Sequence, residues 1–545
     1  MARLVKCLFF LLCLELSFAR VPNFHMGRPK EGFLRPPADP HGIYQYTADE
    51  TIIYSNIIQK VDHFNESLKD NWTQEYQYNS KFYNKDRPLA FLMIGGEGAI
   101  GGDGDKWIKN EDVSMMKWAA EFRAAAFQVE HRFYGKSRPY PEQTTENLKY
   151  LTVDQVLADL KEFINQMNQL YFPGVSPKWI TFGGSYPGSL SAWFRATYPE
   201  MTIGAVSTSS AVNTRVDYYG YAVNTEKNYR GISAQCGDNI GAAFKNIMQR
   251  AYKSDDSRDR MVKEMNLCKP FIGDDSVTTA RQLQYMFSNI YGIFQGINQY
   301  SGDNRNHRND LGEGLPMACD YMTYANNDPT ANLLNMTNWD NEMNENNCTD
   351  NDWPGFISLL KQTNYDNLGV ASYRTWIWQT CTFLGYFQTT DGGNKGIFGS
   401  TIPLDFYVDQ CLEIFGSDYT ADSIFEAVAK NQEQFGGDKN YKGTKVVFPN
   451  GSIDPWVSLG KLTPNKDNDV DAFIIEGTAH CADMYPWRDS DLQSLKDGRK
   501  RIHDNLERWI NDAFAQQQDT TTPKSAGQIS LLLATGLLMA GVLYL

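Results

Sequence analysis

Histidine is scarce in this chain, with seven in 545 residues, and cationic side chains are outnumbered, 51 Lys and Arg against 65 Asp and Glu. The resulting net charge of -14 argues against nucleic acid as a partner, because a phosphate backbone would be repelled. No run has the spacing of a metal-ligand cluster or of a phosphate-cradling glycine loop, so no metal and no cofactor is expected. No internal repeat is evident, which excludes solenoids and propellers. What the chain does have is apolar material, 42% hydrophobic and 13% aromatic residues, enough for a large core. Its length suggests two to four domains.

The most informative stretch is Gly183-Gly184-Ser185-Tyr186-Pro187-Gly188. An apolar run, residues 179–182, leads in, and a helix-compatible run, residues 189–194, leads out. A serine between glycines at a strand-to-helix switch reads as a nucleophile elbow, which lifts the hydroxyl clear of the sheet and aims the next N–H, that of Tyr186, at a developing oxyanion. Taken alone, the hexapeptide could equally be a glycine-rich turn with an incidental serine. Two later segments weigh against that. Residues 445–448 read as a short buried strand, followed by a loop carrying Asp454; residues 471–475 read as another, ending in Gly477-Thr478-Ala479-His480. An acid and a histidine thus follow the C-terminal ends of two strands, the edge where open α/β sheets place their sites. Only His307, His480 and His503 follow Ser185. His307 lies in a polar, Asn-rich stretch and His503 in a charged amphipathic run, which leaves His480. The order Ser, Asp, His is that of α/β-hydrolases. Serine needs an adjacent base, histidine supplies one near neutral pH, and the carboxylate fixes its tautomer. A second oxyanion donor is expected from the loop Gly95-Gly96-Glu97-Gly98 after a strand over residues 89–94, at Gly96 or Glu97.

These residues resemble the serine peptidase family of prolyl carboxypeptidase, dipeptidyl peptidase II and thymus-specific serine protease. The matching pieces are Gln59-Lys60-Val61-Asp62-His63-Phe64, Gly96-Glu97-Gly98, Glu130-His131-Arg132-Phe133-Tyr134-Gly135, Gly183-Gly184-Ser185-Tyr186, Trp378-Gln379-Thr380-Cys381-Thr382, Asn450-Gly451-Ser452-Ile453-Asp454-Pro455-Trp456 and Gly477-Thr478-Ala479-His480. They run in order along nearly the whole mature chain. The resemblance implies a triad of Ser185, Asp454 and His480 and cleavage after proline near a peptide terminus. Three positions depart from the family pattern. Pro187 stands where the generic elbow has a small residue, and is tolerated in a first helical turn. Ser189 replaces a bulkier apolar residue of the carboxypeptidase-like members. Cys481 follows the histidine where several relatives have a second histidine, which is more similar to the thymus-specific branch.

Targeting signals stand at both ends. Arg3 and Lys6 precede an apolar stretch, residues 7–18, and Ser17-Phe18-Ala19 is a small-residue cleavage site, so residues 1–19 read as a signal peptide. The chain is expected in the secretory pathway, ending extracellular, at the cell surface or lysosomal. Cleavage would leave seven cysteines, an odd number, so one thiol stays free or pairs outside the chain. We pair Cys381 with Cys411, leave Cys481 free beside the site, and leave Cys236, Cys268, Cys319 and Cys348 unassigned. Sequons at Asn65, Asn71, Asn335 and Asn347 lie in polar stretches and could carry glycans; the one at Asn450 would crowd the site and is expected unmodified. Beyond a final amphipathic helix at residues 502–514, a polar linker (516–528) leads to an apolar tail (529–545) with no charge after it. The favoured reading of that tail is a GPI signal, ahead of a spanning segment and of simple removal.

Residues 213–373 differ in character from what flanks them. Apolar residues recur at helical spacing around residues 241–248 and 280–287, and the Asn-rich stretch 326–351 reads as loops. The expected architecture is therefore an α/β-hydrolase domain, residues 20–212 and 374–515, with an inserted helical cap. Such a cap would favour short peptides as partners over folded protein. Trp456 either lines a proline pocket or is a core tryptophan holding the loop; Ser189 and Trp376 are further pocket candidates. Glu97 could receive a substrate amino terminus or support its loop, and His131 reads as structural. The function expected is a serine exopeptidase, with an esterase or lipase, or a surface binding protein, as alternatives. Cleavage direction and oligomeric state, a homodimer among the options, are not written in the sequence.

Overall fold

The computed structural model describes residues 20–30, 32, 42–102, 106–272, 276–302, 312–324, 328–391 and 396–521. The expected signal peptide (1–19) and the apolar tail (529–545) lie outside the described residues, as does His307. Among the described residues no helix is long and apolar enough to cross a membrane.

Short uninterrupted apolar runs become buried strands. The main sheet has eight: β1 Ile52–Lys60, β2 Asn71–Asn79, β3 Leu89–Ile94, β4 Ala125–Val129, β5 Lys178–Gly184, β6 Gly204–Thr208, β7 Val446–Gly451 and β8 Val470–Ile475. Every residue of β3, β4, β6 and β7 is buried, as expected for parallel strands covered on both faces, whereas the edge strand β1 has several exposed positions. The spatial order is β8-β7-β6-β5-β3-β4-β2-β1. β2 runs antiparallel to β1 and β4, and the remaining pairs are parallel. This is the α/β-hydrolase sheet. Its register aligns Gly184 with Thr208 and Gly451 with Ile475, so β5, β6, β7 and β8 end on one rim.

Successive side chains of a strand point to opposite faces, so each strand feeds two cores. Ala90, Leu92 and Ile94 meet the helices Val153–Tyr171 and Tyr186–Thr197. Leu89, Phe91 and Met93 meet the helices Ser114–Phe122 and Gln493–Thr521. The last helix fits closely because Gly204 of β6 has no side chain: a Cβ there would lie 2.3 Å from the Trp509 ring. That helix extends to Thr521, so the first residues of the expected linker are helical.

After β6 the chain leaves the sheet. A short strand, Arg215–Asp217, precedes the helices Gly220–Ile232, Ala234–Ala251, Asp255–Glu264, Ser276–Gln299, Leu315–Met322, Pro329–Met343, Trp353–Leu360 and Leu368–Gln379. The Asn-rich stretch is thus largely helix rather than loop. Asp328 caps Pro329–Met343 by accepting from the Thr330 and Ala331 amides, Pro329 starts its first turn, and buried Leu333 and Met336 dock it. The chain returns through a π-turn, Thr380–Leu384, into Gly385–Phe387, which pairs in parallel with Arg215–Asp217. Disulfides join Cys236 to Cys319, Cys268 to Cys348, and Cys381 to Cys411. The sequon residues Asn65, Asn71, Asn335 and Asn347 are exposed, while Asn450 is buried.

Residues 20–30 form a short strap. Phe24–His25 pairs antiparallel with Arg28–Pro29 around a turn at Met26 and Gly27, both with positive φ.

Candidate active site

Ser185 joins β5 to the helix Tyr186–Thr197 with φ 61° and ψ -131°, a left-sided conformation that costs a non-glycine residue of order 1–3 kcal/mol. The glycines around it make the turn possible. A Cβ at Gly183 would lie 2.1 Å from the Pro187 carbonyl oxygen, and one at Gly188 2.8 Å from that of Thr208. The Ser185 amide donates to the Thr208 carbonyl (3.0 Å), fastening the elbow to the end of β6. Pro187 sits in the first helical turn, where no N–H is required.

Asp454 and His480 sit in the loops after β7 and β8. The Asp454 Oδ2 and His480 Nδ1 atoms are 2.8 Å apart, and both side chains are almost wholly buried. Asp454 Oδ1 accepts from the Trp456 amide (2.9 Å), so both carboxylate oxygens are engaged. The His480 amide donates to the Gln299 carbonyl (2.9 Å), at the end of the helix Ser276–Gln299. The histidine loop is fastened to the rim as well. The Cys481 amide donates to Ser209 Oγ (3.0 Å), its buried thiol neighbours the Ser185 backbone, and burial pushes that thiol well up. Asp483 Oδ2 accepts from Thr208 Oγ1 (2.9 Å); burial raises its carboxyl to about 6. Ser185, Asp454 and His480 therefore share one rim and one set of backbone fastenings.

The loop after β3 lies against the elbow. A Cβ at Gly96 would come within 2.6 Å of Pro187 Cγ. Glu97 is 2% exposed, its carbonyl accepts from Arg28 Nη2 (2.7 Å), and its Oε1 has no hydrogen-bond partner among the described residues. Desolvation raises its carboxyl to about 8. The Tyr186 hydroxyl lies 3.1 Å from His131 Nε2, and His131 Nδ1 lies 2.8 Å from the Arg132 carbonyl, so His131 is tied into the framework. Burial lowers it to about 4.

The pocket candidates fall around these residues but are tightly packed. Trp376 is buried with its ring 6.2 Å from that of Tyr186. Ser189 is buried one turn after Ser185, its amide donating to the Ser185 carbonyl. Trp456 stacks on Tyr218 (5.6 Å) and donates from Nε1 to Gln299 Oε1 (2.8 Å). Sequence reasoning missed Gln299, Arg28 and Asp483. Asp483, three residues past His480, was open to inspection; Gln299 and Arg28 come from distant segments with no local signal.

The sequence pattern described as serine carboxypeptidase S28 matches residues 59–502. A Caenorhabditis elegans protein named as a serine protease is 36% identical over 520 residues, covering 93% of this chain and 94% of the relative. The thymus-specific serine protease of Mus musculus is 26% identical over 514 residues, with 91% of each chain covered. The lysosomal Pro-X carboxypeptidase of Bos taurus is 25% identical over 532 residues, covering 94% of this chain and 99% of the relative.

Proposed function

The chain belongs to the serine carboxypeptidase S28 family and is a serine-type peptidase, and from that premise we propose that Ser185, Asp454 and His480 are its catalytic triad. The observation that carries this reading is the 2.8 Å bond between His480 Nδ1 and Asp454 Oδ2 on the rim that also bears the Ser185 elbow. With Nδ1 held by the carboxylate, Nε2 is the nitrogen that takes the hydroxyl proton as Ser185 attacks the scissile carbonyl. The oxyanion is met by the Tyr186 amide at a helix N-terminus and by an amide of the Gly96–Glu97 loop. His480 then protonates the leaving amine, an acyl group remains on Ser185, and water, activated by the same imidazole, releases it.

The substrates proposed are short peptides cut near a terminus, at bonds involving proline. The family membership and the name of the bovine relative support this, as does the helical insertion, read as a cap (213–373) on a hydrolase domain (20–212 and 374–515). Trp456, Ser189 and Trp376 are the proposed pocket residues. Three disulfides favour an oxidising compartment, hence the secretory route, with glycans on Asn65, Asn71, Asn335 and Asn347. Attachment to a membrane through the apolar tail is part of the same reading.

A fluorophosphonate probe tests the triad. It should label Ser185 in the wild type and leave Ser185→Ala unlabelled. Paired X-Pro-amide and peptide-Pro-X substrates, with a simple ester beside them, test the specificity. Ester turnover with both peptides inert would move the assignment to an esterase.

A further inference from the structure

The strap formed by residues 20–30 lies outside the matched residues 59–502, yet it is built into the site. Val21, Phe24, His25, Met26 and Arg28 are all buried. One end is laced to the helical insertion. Arg20 donates to the Cys348 carbonyl, Asn23 Nδ2 to Asp340 Oδ2 (3.2 Å), and His25 Nδ1 lies 2.9 Å from Ser288 Oγ. The insertion helix makes room for it: a Cβ at Gly292 would fall 2.6 Å from the Phe24 carbonyl oxygen.

The other end reaches the residues that flank the triad. The Gly27 carbonyl accepts from Gln299 Nε2 (2.9 Å), and Gln299 is also the residue whose carbonyl holds the His480 amide. A Cβ at Gly27 would lie 2.2 Å from Trp456, two residues past Asp454, and 2.6 Å from Gln388. Arg28 donates from Nη2 to the Glu97 carbonyl (2.7 Å), on the loop pressed against the elbow. The hairpin tip thus spans from the acid loop to the proposed oxyanion loop, passing the residue that holds the base.

We propose that residues 26–28 of this strap close one end of the substrate cleft and are the specificity-determining wall that confines cleavage to peptide termini. This rests on the serine peptidase reading of the rim. Residues 26–28 are buried between the loops that carry Trp456 and Glu97, so on this reading a substrate chain laid between those loops ends against the strap and only a terminus is seated there. The strap is a permanent wall and not a plug. Phe24 and Met26 bury apolar side chains that release would expose to water, and Arg28 would have to give up backbone acceptors at Pro29 and Glu97.

The test uses the full secreted chain and two variants. Gly27→Leu drives a side chain into the space of Trp456 and lifts the tip. Asn23→Ala combined with Phe24→Ala frees the insertion end and touches none of the proposed catalytic residues. Chymotryptic cleavage after Phe24 reports strap release in the first variant, and faster amide hydrogen exchange across residues 21–28 in the second; fluorophosphonate labelling of Ser185 reports an intact triad. The substrate is an octapeptide acetylated and amidated at its ends, assayed beside the same peptide with free ends. The expected result is internal cleavage of the blocked peptide raised about tenfold or more, with labelling retained. Released strap, labelled Ser185 and a blocked peptide left whole would overturn the wall. So would a comparable rise with free-ended peptide alone, which would make the strap a removable plug. If Gly27→Leu fails to label, the double variant decides. Absence of labelling in the wild type would instead strike the serine peptidase reading.

Discussion

All three disulfides among the described residues lie in the helical insertion or where it returns to the sheet, whereas the eight-stranded sheet is crossed by none, and its rim carries a free thiol, Cys481, buried without a covalent partner. The sheet holds together through continuous ladders and two apolar layers. The insertion, a set of mostly short helices, gains from loops of 83 and 80 residues being closed covalently, and a third bond closes 30 residues just after it. The difference teaches where rigidity is invested. The proposed chemistry sits on the sheet, which no crosslink crosses, and the proposed cap is stapled.

The largest effect should come from the rim. Ser185→Ala or His480→Ala is expected to lower kcat by about 10⁴–10⁶ while the thermal midpoint stays near wild type. A comparable kinetic loss from a change deep in the insertion, with folding intact, would break the contrast. Next comes the staple. Removing Cys236–Cys319 by paired serine substitution should cost about 4 kcal/mol and open the insertion to limited proteolysis while fluorophosphonate labelling persists. Loss of both together would mean that the two parts unfold as one.

A third test concerns Glu97. Burial raises its carboxyl from the ordinary 4.5 to about 8 in the folded state, so the folded protein binds more protons than the unfolded chain between those pH values. The slope of unfolding free energy with pH is then negative. This contribution to stability is present at low pH and is lost as pH rises through the window, by an amount of the order of a few kcal/mol. Urea midpoints at pH 5 and pH 8 should fall more steeply in the wild type than in Glu97→Gln; equal slopes would remove Glu97 from the account. The smallest effect is expected on the surface, where Lys500 pairs with Asp504 one turn along an exposed helix face. Lys500→Ala should shift unfolding by about 0.5 kcal/mol or less.

The sheet was legible because its strands are local. Residues 89–94 carry no polar side chain, and the runs before Asp454 and His480 are bounded by turn residues, so period and punctuation suffice. The strands that formed, Leu89–Ile94, Val446–Gly451 and Val470–Ile475, differ from the expected spans by a few residues at most. The insertion was less legible. The Asn-rich helix Pro329–Met343 is decided by one capping aspartate and two docked apolar side chains, a signal that composition hides. The pairings Cys236–Cys319 and Cys268–Cys348 join helices and turns some 80 residues apart, and nothing local encodes that distance. The strap was invisible for the same reason. Phe24, Met26 and Arg28 gain meaning only from Gly292, Trp456 and Glu97, which lie far along the chain.

The parallel pairing of Arg215–Asp217 with Gly385–Phe387 brings the departing and returning chain side by side in a two-stranded ribbon separate from the main sheet. A segment whose two ends meet in this way behaves as a cassette. Its size, helix number and crosslinks can drift, or be swapped in the laboratory, without altering the span that the host must bridge. Evolution can therefore redraw the insertion while the sheet that carries Ser185, Asp454 and His480 on its rim is inherited unchanged.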